Sequence, residues 1–243
     1  MDRLVFEAMT ERLLVWRCLH GGAIDASNVD LPGRHPKMDW GATRSRNVPL
    51  LRKLVATYGS CAILAWDDAA VVGTLRFYPK ALCGWGESGP CFCLQQDPPA
   101  GPPLDLVERE FPRLECLEDK TLFVHCLMVV SPAGDPERYR RKGVATRMAR
   151  ELVRWGTAGG WTAIEANAYE EIPSLYAISG AAGRRFWETS GFGVVYRDTE
   201  PGITGEILES ARRDADRVGI SPGDVTNRYR MRLELRPTPA PRS

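Results

Sequence analysis

The chain has 243 residues, of which 44% are hydrophobic and 26% charged, a balance that is typical of a soluble globular protein and excludes a largely disordered chain. Its 32 basic and 31 acidic residues give a net charge of +1, which argues against a protein that coats nucleic acid. The first residues predict no signal peptide and no apolar run approaches the length that spans a bilayer, so we expect a cytoplasmic protein without a nucleic-acid or membrane partner.

The N-terminal third of the chain predicts helical segments followed by a β-hairpin. Residues 1–20 place apolar side chains at roughly helical spacing, and residues 21–47 are rich in Gly, Pro and Asn, as loops are. Pro49 predicts the start of a helix, because its missing N–H would be unpaired there anyway. The side chains that this helix is expected to bury are Leu50, Leu51, Leu54 and Val55. The β-rich runs 61–66 and 71–78 predict a hairpin.

Residues 79–120 differ in composition from the rest of the chain and predict a surface insertion. From Ala81 to Lys120 there are eight acidic and three basic residues, a local charge of −5 that favours a cationic binding partner. The insertion holds four of the seven cysteines: Cys83, Cys91, Cys93 and Cys116. Their spacing does not match common zinc sites, so we predict no bound metal. In a reducing cytoplasm we also expect no structural disulfide.

The second half of the chain predicts alternating strands and helices. Residues 121–130 are apolar at nearly every position, as in a strand buried on both faces, and an amphipathic helix begins after Gly143. The later predicted elements are a strand over 161–168, a helix over 180–190, a strand over 192–196, a helix over 203–218 and a final strand over 228–235. This order predicts an α/β fold, a mixed twisted central sheet with flanking helices, formed by residues 1–236 as one domain with a disordered tail over 237–243.

The stretch from Arg138 to Thr146, RYRRKGVAT, lies between the buried strand and the amphipathic helix and predicts a phosphate-binding loop. A helix start exposes unpaired backbone N–H groups and carries a partial positive charge. Gly143 lets the backbone approach a ligand closely, and three basic residues precede it. The alternative is that the stretch forms only a solvated basic turn.

Two motifs resemble those of a known family. The spacing Arg140-x-x-Gly143-x-Ala145 resembles the pyrophosphate-binding motif of the GNAT superfamily of N-acetyltransferases, and the sequence FWETSGF at 186–192 resembles that family's helix-to-strand junction. The resemblance covers residues 121–197 and implies a GNAT-like fold with acetyl-CoA as donor. The implied cofactor site consists of Leu127, Met128 and Val129 for the pantetheine and of Arg140, Arg141, Lys142, Gly143, Val144, Ala145 and Thr146 for the pyrophosphate.

The resemblance also implies a base that deprotonates the amine and, often, a tyrosine that donates a proton to the leaving thiolate. Trp187 stands where the family often has that tyrosine. Either another group donates the proton, for which Tyr176 and Tyr169 are the candidates, or the thiolate leaves unassisted. His125 interrupts the apolar strand and is the first candidate base, because histidine can accept a proton near neutral pH. Glu165 is the second candidate. The alternatives are a hydrogen-bonded core or edge role for His125 and an outward-facing strand position for Glu165.

Together the motifs predict an acetyl-CoA-dependent N-acetyltransferase that transfers the acetyl group directly to a primary amine, on a small molecule or a peptide, in a ternary complex. Two alternatives are a non-catalytic acyl-CoA-binding or regulatory module with the same fold and an enzyme that uses a longer acyl-CoA. We expect the N-terminal region, the 79–120 insertion and the C-terminal hairpin to form the acceptor pocket. We expect a monomer or a homodimer.

Overall fold

The fold is taken from a computed structural model of the chain. The structure describes residues 4–19, 22–33, 39–82, 108, 110–131, 135, 137–139, 141–179 and 182–236. Within these ranges the strands are β1 Val5–Ala8, β2 Ala62–Asp67, β3 Ala70–Pro79, β4 Thr121–Val129, β5 Ala163–Ala168, β6 Gly193–Thr199 and β7 Asn227–Glu234. The α-helices are α1 Trp40–Tyr58, α2 Val144–Ala158, α3 Pro173–Ser179, α4 Arg184–Thr189 and α5 Gly205–Val218.

The strands form one mixed sheet in the order β1-β2-β3-β4-β5-β7-β6. Neighbouring strands are antiparallel except for β4 and β5, which run parallel. A parallel pair requires a crossover connection, and α2 supplies it. The predicted α/β fold, a mixed central sheet with flanking helices, is confirmed.

Helix α2 packs on one face of the sheet, because its apolar side chains recur along one side of the helix. Gly73 of β3 permits a close approach, since a Cβ there would lie 3.0 Å from the Cβ of Ala65 and 3.1 Å from the sulfur of Met148. The strands supply most of the remaining core on this face: Ile63, Leu75, Phe77, Leu122, Val124, Leu127, Ile164, Ala166 and Met231.

Helix α1 and the chain after β1 cover the other face at β2 and β3. Asp39 begins α1 by accepting a hydrogen bond from the backbone N–H of Ala42 at 2.9 Å. The predicted helix start at Pro49 is therefore wrong: this capped start lies upstream, and the proline lies inside the helix. The side chains predicted to be buried are buried: Leu50, Leu51, Leu54 and Val55.

The helical spacing seen over residues 1–20 does not correspond to a helix in the part of that segment that the structure describes. Strand β1 instead pairs with β2, from Val5 opposite Trp66 to Ala8 opposite Ile63. The following residues run over the core without regular structure, and the indole N–H of Trp16 donates to the carbonyl of Val29 at 2.7 Å. Strand pairing and burial outweigh a weak local propensity here.

The region between β5 and β7 contains more helix than the sequence predicts. The helix predicted over 180–190 corresponds to α4, while α3 has no counterpart among the predicted elements. Helix α5 follows β6, and it packs against α3 through a small core: Ile172, Leu175, Ile203, Ala211, Ala215 and Val225. Val218, predicted on the buried side of α5, is 48% exposed.

Some predictions concern residues outside the described ranges: most of the 79–120 insertion with Cys83, Cys91 and Cys93, the loop residue Arg140, and the tail 237–243. Among the described cysteines, Cys116 is exposed, the others are buried, and none forms a disulfide with another described cysteine. The helices that the structure describes are too short or too polar to cross a membrane.

Candidate functional site

Strands β4 and β5 part in the middle of the sheet. They pair from Thr121 opposite Ala163 to Val124 opposite Ala166, and beyond that point β4 pairs only with β3 and β5 only with β7. Leu127, Met128 and Val129, the residues predicted to lie along the cofactor, belong to the parted section of β4. On the β5 side their backbone groups have no strand partner in the described parts of the chain, so a ligand with amide groups can pair with them.

A β-bulge marks the point where the strands part. Arg76 of β3 pairs with Cys126, but the next residue, Phe77, pairs with Val124, so His125 is the extra residue. Val124 and Leu127 both lie in the core beneath α2. Because two residues separate them rather than one, His125 and Cys126 both lie on the opposite side of β4.

We call that side the polar face: the side of β4, β5 and β7 turned away from α2, with Phe123, His125, Glu165, Asn167 and Arg230. The assignment follows from alternation, because Ile164 and Ala166 of β5 and Met231 of β7 belong to the core on the α2 side. His125 is half-buried there, and its ring lies 5.8 Å from that of Tyr78 at an angle of 48°.

Tyr176 of α3 lies near the same section of β4. Its surface is 47% exposed, yet partial burial raises the pKa of its hydroxyl, and the nearby Cys126 thiol adds to the rise. A raised pKa keeps the hydroxyl protonated at neutral pH. The structure thus places two of the three predicted catalytic residues, His125 and Tyr176, near Cys126.

The predicted phosphate loop leads into the N-terminus of α2. Arg141 and Gly143 have left-handed backbone conformations, with φ of 55° and 74°. The carbonyl of Gly143 accepts the first helical hydrogen bond, from the N–H of Arg147 at 2.9 Å, so the N–H groups of Val144, Ala145 and Thr146 lack helical partners. No side chain of the described residues caps this end, and a Cβ at Gly143 would meet nothing within 4 Å. The residues present fit a bound pyrophosphate.

Side chains anchor the loop to the hairpin of β2 and β3. The buried hydroxyl of Tyr139 donates a short hydrogen bond to the carboxylate of Asp67, at the end of β2, and Arg138 contacts the same carboxylate at 2.5 Å. Burial, together with the hydrogen bond to Asp67, raises the pKa of Tyr139 to about 12. The backbone N–H of Tyr139 also donates to the hydroxyl of Ser131 at 3.4 Å. No local sequence pattern predicts this anchor, because it joins residues that are far apart in the chain.

Glu165 is a fixed anion of the polar face. It is 3% exposed and accepts hydrogen bonds from Lys80 at 2.9 Å, Arg232 at 2.6 Å and Arg230 at 3.3 Å. Burial alone would raise its pKa, but the hydrogen bonds from Lys80 and Arg232 and the nearby charges outweigh burial and lower the pKa. A carboxylate that three cations hold ionised is a weak proton acceptor. The alternative of an outward-facing strand position does not fit Glu165 either, because the residue is buried.

The contacts of Trp187 and Tyr169 indicate that both residues have structural roles. Trp187 is 1% exposed and packs against Phe186 and Phe192, with ring centroids 5.0 and 4.8 Å apart. The Tyr169 hydroxyl donates to Glu200 at 2.9 Å, and burial, reinforced by the charge of Glu200, raises its pKa. Tyr176 is therefore better placed than Tyr169 to act as a proton donor beside β4.

Comparison with known proteins gives structural likeness only. No family model matches the chain, and no curated protein matches it. A GNAT-family acetyltransferase from Streptococcus pneumoniae is 10% identical, with 96% of this chain and 99% of that one covered and a TM-score of 0.47. A GCN5-related N-acetyltransferase from Kribbella flavida is 16% identical, with the same coverages and a TM-score of 0.45. The NatB acetyltransferase complex bound to CoA and MES is 12% identical over 76% of this chain and 79% of that chain, with a TM-score of 0.40.

Proposed function

We propose that this protein is an acetyl-CoA-dependent N-acetyltransferase that transfers an acetyl group directly to a primary amine. One observation carries the proposal: the parted section of β4 leads, through a loop in which Arg141 and Gly143 are left-handed, to the N-terminus of α2, which no side chain of the described residues caps. Unpaired strand groups and unpaired helix N–H groups thus follow one another along the chain. A ligand with amides at one end and a pyrophosphate at the other matches that sequence of groups.

The loop and the strand bind the donor, which when bound supplies an acetyl group on a thioester. The N–H groups of Val144, Ala145 and Thr146 bind the pyrophosphate, and Arg141 and Lys142 add positive charge. Leu127, Met128 and Val129 pair with the pantetheine through their free backbone groups. A backbone N–H of this section polarises the thioester carbonyl.

His125 accepts the proton that the acceptor amine must lose, directly or through a water molecule. The β-bulge supports this role, because it places the half-buried imidazole of His125 beside the point where β4 and β5 part. The amine nitrogen then bonds to the acetyl carbon while the carbon–sulfur bond breaks. Tyr176, kept protonated by its raised pKa, donates a proton to the departing thiolate. Glu165 positions cations on the polar face and takes no proton.

The alternative is a module that binds acyl-CoA without catalysis. The burial of Trp187 favours it, because the residue in the position of the family's usual tyrosine supplies no hydroxyl. An enzyme that prefers a longer acyl-CoA is a variant of the main proposal.

Calorimetry with acetyl-CoA, combined with an assay for thiol release over a panel of amines, tests the proposal. Micromolar binding with thiol release that depends on an amine supports the transferase. Binding without release to any amine supports the non-catalytic module. Parallel assays with acetyl-, propionyl- and longer thioesters identify the acyl group. If neither acetyl-CoA nor CoA binds, both functions are wrong.

A further inference from the structure

Three arginines occupy alternate positions of β7 on the polar face: Arg228, Arg230 and Arg232. Arg228 is 4% exposed, and carboxylates surround it. Its Nε donates to Asp198 at 2.9 Å and a terminal nitrogen donates to Glu200 at 3.2 Å. Two carboxylates therefore balance the buried charge of Arg228.

Carboxylates compensate the charges of Arg232 and Arg230 to different extents. Arg232 donates to Glu165 and to Glu234, at 2.6 Å in each case. Among the described residues, Glu165 is the only carboxylate that Arg230 contacts, at the longer distance of 3.3 Å, and Lys80 and Arg232 contact the same carboxylate. The Nε–H of Arg230 is buried and has no hydrogen-bond partner in the described ranges. The side chain is only 17% exposed.

Arg230 also lies at the border of the site. Its register partner on β5 is Asn167, the first residue after Ala166, where β5 leaves β4. The centroid of the Phe123 ring lies 4.8 Å from the guanidinium carbon of Arg230, within the range of a cation–π contact. At Val124 and Ala166, the last paired residues of β4 and β5, two inter-strand intervals of about 4.8 Å place the backbones of β4 and β7 about 10 Å apart. The reaction site and Arg230 are thus within the span of one small molecule.

A mostly buried guanidinium is costly unless anions compensate its charge, and its planar fork matches a carboxylate or phosphate group. We propose that Arg230 binds an anionic group of the acceptor, so that the acceptor is a primary amine that also carries a carboxylate or a phosphate. The inference rests on the proposed function and names the substrate class for it. It opposes the expectation of a cationic acceptor drawn from the acidic insertion, since Lys80, Arg230 and Arg232 would repel a second cationic group.

Matched acceptors test the inference on the full-length chain with acetyl-CoA. The panel consists of ω-amino carboxylates of two to six carbons, their primary amides, aminoalkyl phosphates and diamines of the same lengths. We expect kcat/KM for an anionic acceptor to exceed that for its neutral or cationic counterpart at least tenfold. The carboxylate and phosphate arms identify which anion the site prefers.

Variants connect the preference to the residue. Arg230→Gln should remove the preference for the anionic acceptor and leave the KM for acetyl-CoA unchanged. Arg212→Gln, at an exposed position of α5, is the matched control and should keep the preference. The comparison of acids with amides needs only the unaltered chain, so it decides the matter even if Arg230→Gln does not fold. The inference alone is overturned if neither the carboxylates nor the phosphates are acetylated faster than the amides, or if the diamines are acetylated faster than both. Absence of transfer to every amine overturns the proposed function, and the inference with it.

Discussion

Gly143→Glu is the most informative perturbation, because the structure separates its effect on the fold from its effect on binding. At φ 74° a side chain is strained, yet a Cβ there meets no atom within 4 Å. The matched control is Gly219→Glu at the C-terminal end of α5, where φ is 73° and a Cβ also meets nothing. Both variants should lose about 1 kcal/mol of stability to the left-handed backbone, a loss that the helix dipole partly offsets at the N-terminal Gly143 and increases at the C-terminal Gly219.

Only Gly143→Glu should weaken acetyl-CoA binding. Two unit charges 4 Å apart repel by about 1 kcal/mol in water and about 4 kcal/mol near a protein surface. A carboxylate beside the pyrophosphate should therefore cost about 3 kcal/mol, or about a hundredfold in Kd. Gly143→Ala adds strain and a methyl group without charge, so its Kd should lie between those of the unaltered chain and Gly143→Glu.

Calorimetry with acetyl-CoA and thermal unfolding of the same samples measure the two effects. We expect both glutamate variants to lower Tm by about 2–4 °C, as 1 kcal/mol does for a chain of this size. The Kd should rise only for Gly143→Glu. If Gly143→Glu and Gly219→Glu bind acetyl-CoA equally well, the N-terminus of α2 does not hold the pyrophosphate and the reasoning from the loop is wrong.

Four further predictions concern the base, the loop anchor, the core and the fixed anion. His125→Gln should lower kcat by about 10²- to 10⁴-fold in the thiol-release assay while the Kd for acetyl-CoA stays unchanged; an unaltered kcat would remove His125 from the mechanism. Tyr139→Phe should lower the free energy of unfolding by about 1.5 kcal/mol through loss of the hydrogen bond to Asp67, measured by urea titration. Gly73→Val should cost about 2 kcal/mol in the same titration, because its side chain would clash with Met148, and a neutral result would contradict the packing of α2. The lowered pKa of Glu165 stabilises the fold above the unfolded-state pKa of about 4.3, and that stability is lost as the pH falls through the folded pKa. The free energy of unfolding of Glu165→Gln, measured by urea titration at several pH values, should therefore fall less steeply with decreasing pH than that of the unaltered chain.

Local patterns in the sequence account for much of the fold. The apolar run over 121–130, the helical stripe after Gly143 and the alternation over 228–235 each depend on neighbouring residues, and β4, α2 and β7 appear where they predict. The phosphate loop is equally local, since its glycine, its basic residues and the helix start are contiguous. Local patterns do not predict the N-terminal segment, because pairing with β2 and burial against α1 determine its conformation.

The strands β2 to β7, the helices α1, α2, α4 and α5 and the position of the loop can be predicted from the sequence, because periodicity and motif spacing act within a few residues, whereas β1 and α3 cannot. Which side chains share a surface depends on contacts between segments that are distant in the chain. One extra residue in β4 turns His125 and Cys126 to the same side, and a bulge depends on the partner strand. Glu165 and Arg230 are 65 positions apart in the chain. Pairing between the strands brings them together, so that Glu165 stays ionised while the charge of Arg230 is only partly compensated. The role of a charged side chain depends on its neighbours in space, which cannot be inferred from separation along the chain.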